Sequence, residues 1–216
     1  MTIAIPVTIP LKKIQLNPGS IITIHDVNWE EFEAILEERE AEGIRTRITY
    51  SKGTLEIMSP LPAHERPHRI IGYIVTTILD VQERDWEDFG ATTFKNKAKE
   101  VGLEPDTCFY IQNAQQVRDC LRMDLTVYPP PDLAIEADVT SVTTLDIYEV
   151  LEVPEVWVYT AEKFTINVLT DGKYVESNTS PTFPDLPILE LIPDLVKKAF
   201  KQGSSKMLRE LRKQMS

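Results

Sequence analysis

The sequence predicts an α/β fold with a mixed central β-sheet flanked by helices and carrying extra β-hairpins. Three observations predict it. Segments with apolar residues at helical spacing interleave with short alternating or apolar strand-like runs. Two hairpin signatures, Ser51-Lys52-Gly53 and Asp171-Gly172, each stand between a pair of such runs. No internal repeat, low-complexity tract or long linker divides the chain, so its 216 residues are expected to form a single domain, 1–216.

In chain order, residues 1–27 read as an N-terminal extension. Residues 28–42 read as a first helix, with Trp29, Phe32 and Leu36 at helical spacing. Asn28 with Glu31 makes a capping-box pattern, and Gly43 ends the helix. Arg47–Tyr50 and Thr54–Met58 form the first hairpin. After a Pro-rich stretch, Ile70, Ile71, Ile74, Ile78 and Leu79 mark a second helix to about Trp86. Strands are expected at 91–97, 107–111, 133–139 and 155–160, with a short helix over 145–151. Residues 112–131 read as a short helix and a loop, and 164–169 with 173–176 as the second hairpin. One closing helix is expected from Ile192 to Met215, its basic part spanning 193–216.

Composition narrows the function. At 42% hydrophobic and 26% charged the chain is neither disordered nor collagen-like. It has no apolar run near the ~20 residues that span a bilayer, so no membrane partner is expected. The N-terminus lacks the pattern of a signal peptide, and two cysteines are too few for a disulfide framework; both point to the cytoplasm. The net charge of −11 is unevenly placed: Lys197–Ser216 holds seven basic residues against Glu210 alone, a net +6, leaving −17 for the rest. A solvated helix explains the basic end, and contact with nucleic acid or an acidic partner is the alternative.

His64-Glu65-Arg66-Pro67-His68 matches the zinc-protease pattern H-E-x-x-H. That chemistry needs both imidazoles on one helical face, and Pro67 places His64 and Glu65 at or before a helix start. A segment opening a helix, with surface histidines, is the better reading; a zinc site would need His25 or a carboxylate as third ligand.

The strand Asp132-Leu-Ala-Ile-Glu136-Ala-Asp138 puts Asp132, Glu136 and Asp138 on one face. The apolar strand that follows suggests a central position, where carboxylates are costly unless paired, protonated or bound to a cation. Glu136 and Asp138 would stand ~7 Å apart along the strand. An exposed, solvated strand face is the plainer alternative. Asp106, after Pro105 at the start of another strand, could join Glu136 as an oxygen-ligand site for Mg²⁺, which polarises a phosphodiester and activates water. Cys108, Phe109 and Trp157 read as core; Tyr148 and Tyr159 could reach the acidic cluster, but buried tyrosines more often satisfy their hydroxyls locally.

These motifs, in this order, resemble the Uma-two family of restriction endonucleases, within the PD-(D/E)xK nuclease superfamily. The matching text is residues 53–65, 104–111, 131–141 and 148–159, and the likeness runs from the first helix to about Ile192. The resemblance implies a restriction-endonuclease-like core and metal-dependent cleavage of DNA with Mg²⁺ or Mn²⁺. It assigns Asp106 and Glu136 as metal-binding carboxylates and Glu65 as the acid at the start of the core helix. The superfamily's lysine position is held here by Asp138, and residues 143–148 offer no lysine in its place; Lys95 and Lys97 are the candidates to replace it. Cutting both strands of a duplex would suit a homodimer. The alternative is a catalytically degenerate domain of the same fold that binds nucleic acid or a protein partner through the basic C-terminal helix.

Overall fold

The computed structural model describes residues 9–60, 62–137, 143–160 and 163–215, without the side chains of 62–64 and 143–144. After a 3₁₀ turn at Leu11–Lys13, the order is β1 (Ile21–Ile24), α1 (Trp29–Ala41), β2 (Arg47–Ser51), β3 (Thr54–Met58), α2 (Pro62–Val81), β4 (Glu87–Asp88), β5 (Phe94–Asn96), β6 (Val101–Leu103) and β7 (Thr107–Tyr110). Then follow α3 (Ala114–Val117), β8 (Leu133–Ala137), α4 (Thr143–Leu151), β9 (Glu155–Tyr159), β10 (Phe164–Thr170), β11 (Lys173–Ser177), α5 (Ile188–Gln202) and α6 (Ser204–Met215).

The strands form two sheets. The first is antiparallel, in the order β1-β3-β2-β6-β5. The expected first hairpin is its centre, and β1 joins its edge from within the stretch expected as an extension. Its core is built by α1, whose capping box forms both expected bonds: Glu31 N–H to Asn28 and Asn28 N–H to Glu31. The ring of Phe32 stacks on Tyr50 at 4.5 Å, and Trp29 meets both edge-on. Gly102 lets this happen, because a Cβ there would lie 2.7 Å from Phe32 Cζ.

The second sheet is mixed, in the order β11-β10-β9-β8-β7-β4, with β8 and β9 parallel and the other pairs antiparallel. The parallel pair is joined through α4, as a crossover requires. β8 is central, as its apolar neighbour implies. Leu133 and Ile135 pack towards α2, α5 and α6, while Ala134 packs with Ile147, Tyr148 and Leu151 of α4. Phe94, Val101 and Leu103 of the first sheet enter this second cluster, so the two sheets share a core. The β6–β7 link Glu104-Pro105-Asp106 carries the chain from one sheet to the other.

Two helices differ from expectation. α2 begins at Pro62, so Pro67 lies inside it rather than at its start. So near the N-terminus, the amide that Pro67 lacks costs one bond to residue 63 and leaves the helix intact. The expected single C-terminal helix is two, because Gly203 adopts φ +91° and the chain folds back so that α5 and α6 both lie on α2. Among the described residues, no helix is long and apolar enough to cross a membrane.

Candidate active site

Five elements converge at one end of the second sheet. Arg47 opens β2, Glu65 and His68 lie one turn apart on α2, Asp106 precedes β7, Glu136 is on β8 and Tyr148 is on α4. The pairing of Thr107 with Ile135 sets Asp106 across from Glu136 one residue further on. The Asp106 carboxylate reaches along the sheet end and accepts the Ala137 N–H at 2.7 Å.

On one side of Asp106 lie His68, whose Nδ1 is 3.8 Å from its Oδ2, and Arg47, whose Nη2 is 3.4 Å from its Oδ1. Glu65 closes the group: its carboxylate is 3.6 Å from His68 Nε2 and 3.7 Å from Arg47 Nη2. Arg47 is fixed by donating from Nη1 to the Pro105 carbonyl at 2.8 Å. On the other side, the Tyr148 hydroxyl donates to Glu136 Oε1.

The electrostatics follow from burial. Asp106 is raised above its ordinary value by desolvation, against the pull of His68 and Arg47. His68 is lowered by desolvation, so its neutral, ligating form is favoured. Glu136 is pushed up to about 8, chiefly by burial and then by the Asp106 charge, despite the Tyr148 bond. Burial and the same carboxylate push the Tyr148 hydroxyl up.

Of the predicted residues, Glu65 and Asp106 are brought together and Glu136 stands beside them; Asp138 lies outside the described residues. His68 is the correction. Expected at the surface, it is 3% exposed, and with Glu65 and Asp106 it offers ligand atoms all within 4.8 Å of one another. Its Nδ1 is buried without a hydrogen-bond partner, an orphan that a buried imidazole seldom keeps unless something else binds there. The zinc-protease geometry is not built from His25, which lies near Thr54 instead. Lys95 and Lys97 do not reach the site: they pair with Glu33 and Glu30 of α1. Arg47 supplies the positive charge instead. Asp132, expected on the acidic face, accepts the Ile111 and Asn113 amides and the Asn113 side chain, closing a loop. Cys108, Phe109 and Trp157 are core as read, and Tyr148 reaches Glu136.

A cleft of about 860 Å³ opens beside Glu65 and Arg47, with Arg39, Arg45, Lys95 and Arg122 on its walls. Among the described residues no carboxylate pairs with Arg45 or Arg122, whereas Arg39 is held by Glu104 and Lys95 by Glu33.

No curated protein matches the chain. Among solved structures, a protein described as a putative nuclease belonging to DUF820 from Anabaena variabilis is similar, at 16% identity and a TM-score of 0.45, over 69% of this chain and 89% of that one. The family model Uma2, described as "putative restriction endonuclease", matches residues 29–198, and the chain belongs to that family.

Proposed function

We propose that this protein is a metal-dependent nuclease that hydrolyses phosphodiester bonds in DNA, with Asp106 at its centre. The observation that carries the reading is the group of half-buried Glu65 and Asp106 around buried His68, with the His68 Nδ1 orphan inside it. Two carboxylates and an imidazole fit a divalent cation, and the imidazole favours Mn²⁺ over Mg²⁺, which prefers oxygen ligands. Glu65, His68 and Asp106 would hold the ion, with Glu136 behind Asp106. A cation bound there supplies neutralising charge at the phosphate and lowers the pKa of water.

The chain's own groups do the rest. Arg47 holds Glu65 and Asp106 in position from its anchor on the Pro105 carbonyl. As a guanidinium it stays charged and can stabilise negative charge on a phosphate, but it cannot act as a base. Tyr148 fixes the Glu136 carboxyl, whose raised pKa lets it take or release a proton near neutral pH. Without an ion the collected carboxylates repel DNA, so binding at the centre and metal loading are linked.

The test is cleavage of plasmid DNA and of single strands in Mn²⁺ or Mg²⁺, with Asp106→Asn and Glu136→Ala as controls. Cutting by the wild type alone is expected. No cutting in either metal, or equal cutting by both variants, rejects the reading. The competing one, binding without turnover, draws on the absence of a lysine from the described part of the site, and it predicts DNA binding that survives Glu136→Ala with no cleavage.

A further inference from the structure

The outer face of α2 combines positive charge and exposed aromatic surface. Arg66, Arg69 and Tyr73 follow one another at i, i+3 and i+7, which places them on one stripe. The Arg66 guanidinium lies 4.2 Å over the ring of Phe200 on α5. Spacing puts Lys197 and Lys201 on the same side of α5 as Phe200. Both lysines are exposed, as are Tyr73 at 51% and Phe200 at 48%.

Elsewhere the lysines are largely neutralised by neighbours, as in Lys12–Glu42, Lys99–Glu152, Lys163–Glu176 and Lys173–Glu149. Among the described residues no carboxylate lies within ion-pair distance of Arg66, Lys197 or Lys201. Arg69 reaches only Glu65, at 4.0 Å, and this places the patch at the rim of the carboxylate centre. A positive strip of this kind on an acidic chain calls for a polyanion. The Phe200 ring holds the Arg66 guanidinium over its face, and a guanidinium so held can still offer N–H groups to a phosphate. From Arg66 to Tyr73 the helix advances about 10 Å, roughly three nucleotides of one strand at ~3.4 Å each. An exposed tyrosine ring at that distance offers a stacking platform, and only an unpaired base presents its face to one.

We propose that this α2–α5 face is a track for single-stranded DNA, with Arg66, Arg69, Lys197 and Lys201 on its phosphates and Tyr73 stacked on a base. The track rests on the nuclease reading only for its destination, because binding is measured without cleavage. The experiment is fluorescence anisotropy of a labelled oligothymidylate in EDTA, titrated with salt, for the wild type, Arg66→Ala/Lys201→Ala and Tyr73→Ala. All three side chains are exposed, and equal melting temperatures check the fold. The double variant should bind at least ~10-fold more weakly, with a salt slope smaller by about 1.4, or ~0.7 for each phosphate no longer neutralised. Tyr73→Ala should weaken the single strand about fivefold or more at unchanged slope and leave a duplex of the same length unaffected. Absence of binding by the wild type at low salt, wild-type affinity in either variant, or equal loss on duplex and single strand overturns the track. If these shifts appear and no metal supports cutting, the track stands and the nuclease reading fails; cutting with unshifted binding does the reverse.

Discussion

The two sheets meet at Glu104-Pro105-Asp106, and each takes one of that tripeptide's carboxylates. Glu104 belongs to the first sheet and is fully engaged. Arg39 donates to both its oxygens, Thr93 Oγ1 donates to one, and the Ile48 amide donates at 3.2 Å. Its side chain is 3% exposed, yet every part of its charge is answered. Asp106, two residues on, has one amide bond and then ion pairs of 3.4 and 3.8 Å, with a like-charged neighbour in Glu65. Across the sheet, Glu136 has Tyr148. The difference separates two roles. A buried carboxylate with its hydrogen bonds complete holds the fold together, and one left incomplete suits the proposed metal site.

The comparison can be broken by exchanging the roles. Asp106→Asn should lower cleavage by roughly 10³-fold, about 4 kcal/mol, while leaving thermal stability unchanged or improved; a large loss of stability would make Asp106 structural. Glu104→Ala should do the opposite. It leaves the half-buried Arg39 guanidinium with the Thr46 carbonyl but no counter-charge and should cost about 3 kcal/mol in urea unfolding, with the surviving folded fraction still able to cut.

Glu136 sharpens the contrast through pH. Its carboxyl rises from 4.5 to about 8 on folding, so the folded state favours the neutral form. That contribution is complete below about pH 4.5 and is lost as pH climbs towards 8. Glu136→Gln keeps the neutral shape, so in EDTA the variant should melt above the wild type by about 5 °C at pH 8 and level with it at pH 4.5. Mn²⁺ should raise both proteins, because Glu65, His68 and Asp106 are unchanged in the variant. A wild-type melting curve parallel to that of the variant across this range rejects the buried, neutral glutamate. The smallest effect belongs to the first sheet: Gly102→Ala forces Phe32 off Tyr50 and should cost about 1–3 kcal/mol with cleavage unaltered.

What is legible in the sequence is whatever depends on near neighbours. The capping box of α1, both hairpins and the central position of β8 follow from local pattern and appear in the fold. The short strands β1, β4 and β6 escape such a reading, since two to four residues carry no period and are fixed by their partners. Gly203 followed by Ser204 is a readable break in the last helix, hidden by the apolar spacing on either side of it. At the site, Asp106 and Glu136 stand out through motifs. Arg47 carries no local signal because its carboxylate partner Asp106 lies far along the chain. His68 is hidden by Pro67, which suggests a helix that begins later than it does; the spacing that matters is Glu65 to His68, one turn apart on α2.

The tripeptide between the sheets also sets how this chain can vary in length. Hairpin tips such as Lys52-Gly53 and Asp171-Gly172 can absorb an extra residue as a wider loop. Between Glu104 and Asp106 there is no such slack. Pro105 fixes its own φ, and its carbonyl is the anchor for Arg47. An added residue there would draw Glu104 from Arg39 or turn Asp106 away from Glu136. Insertion scanning should therefore find a three-residue gap at 104–106, where a change of length removes stability and activity together.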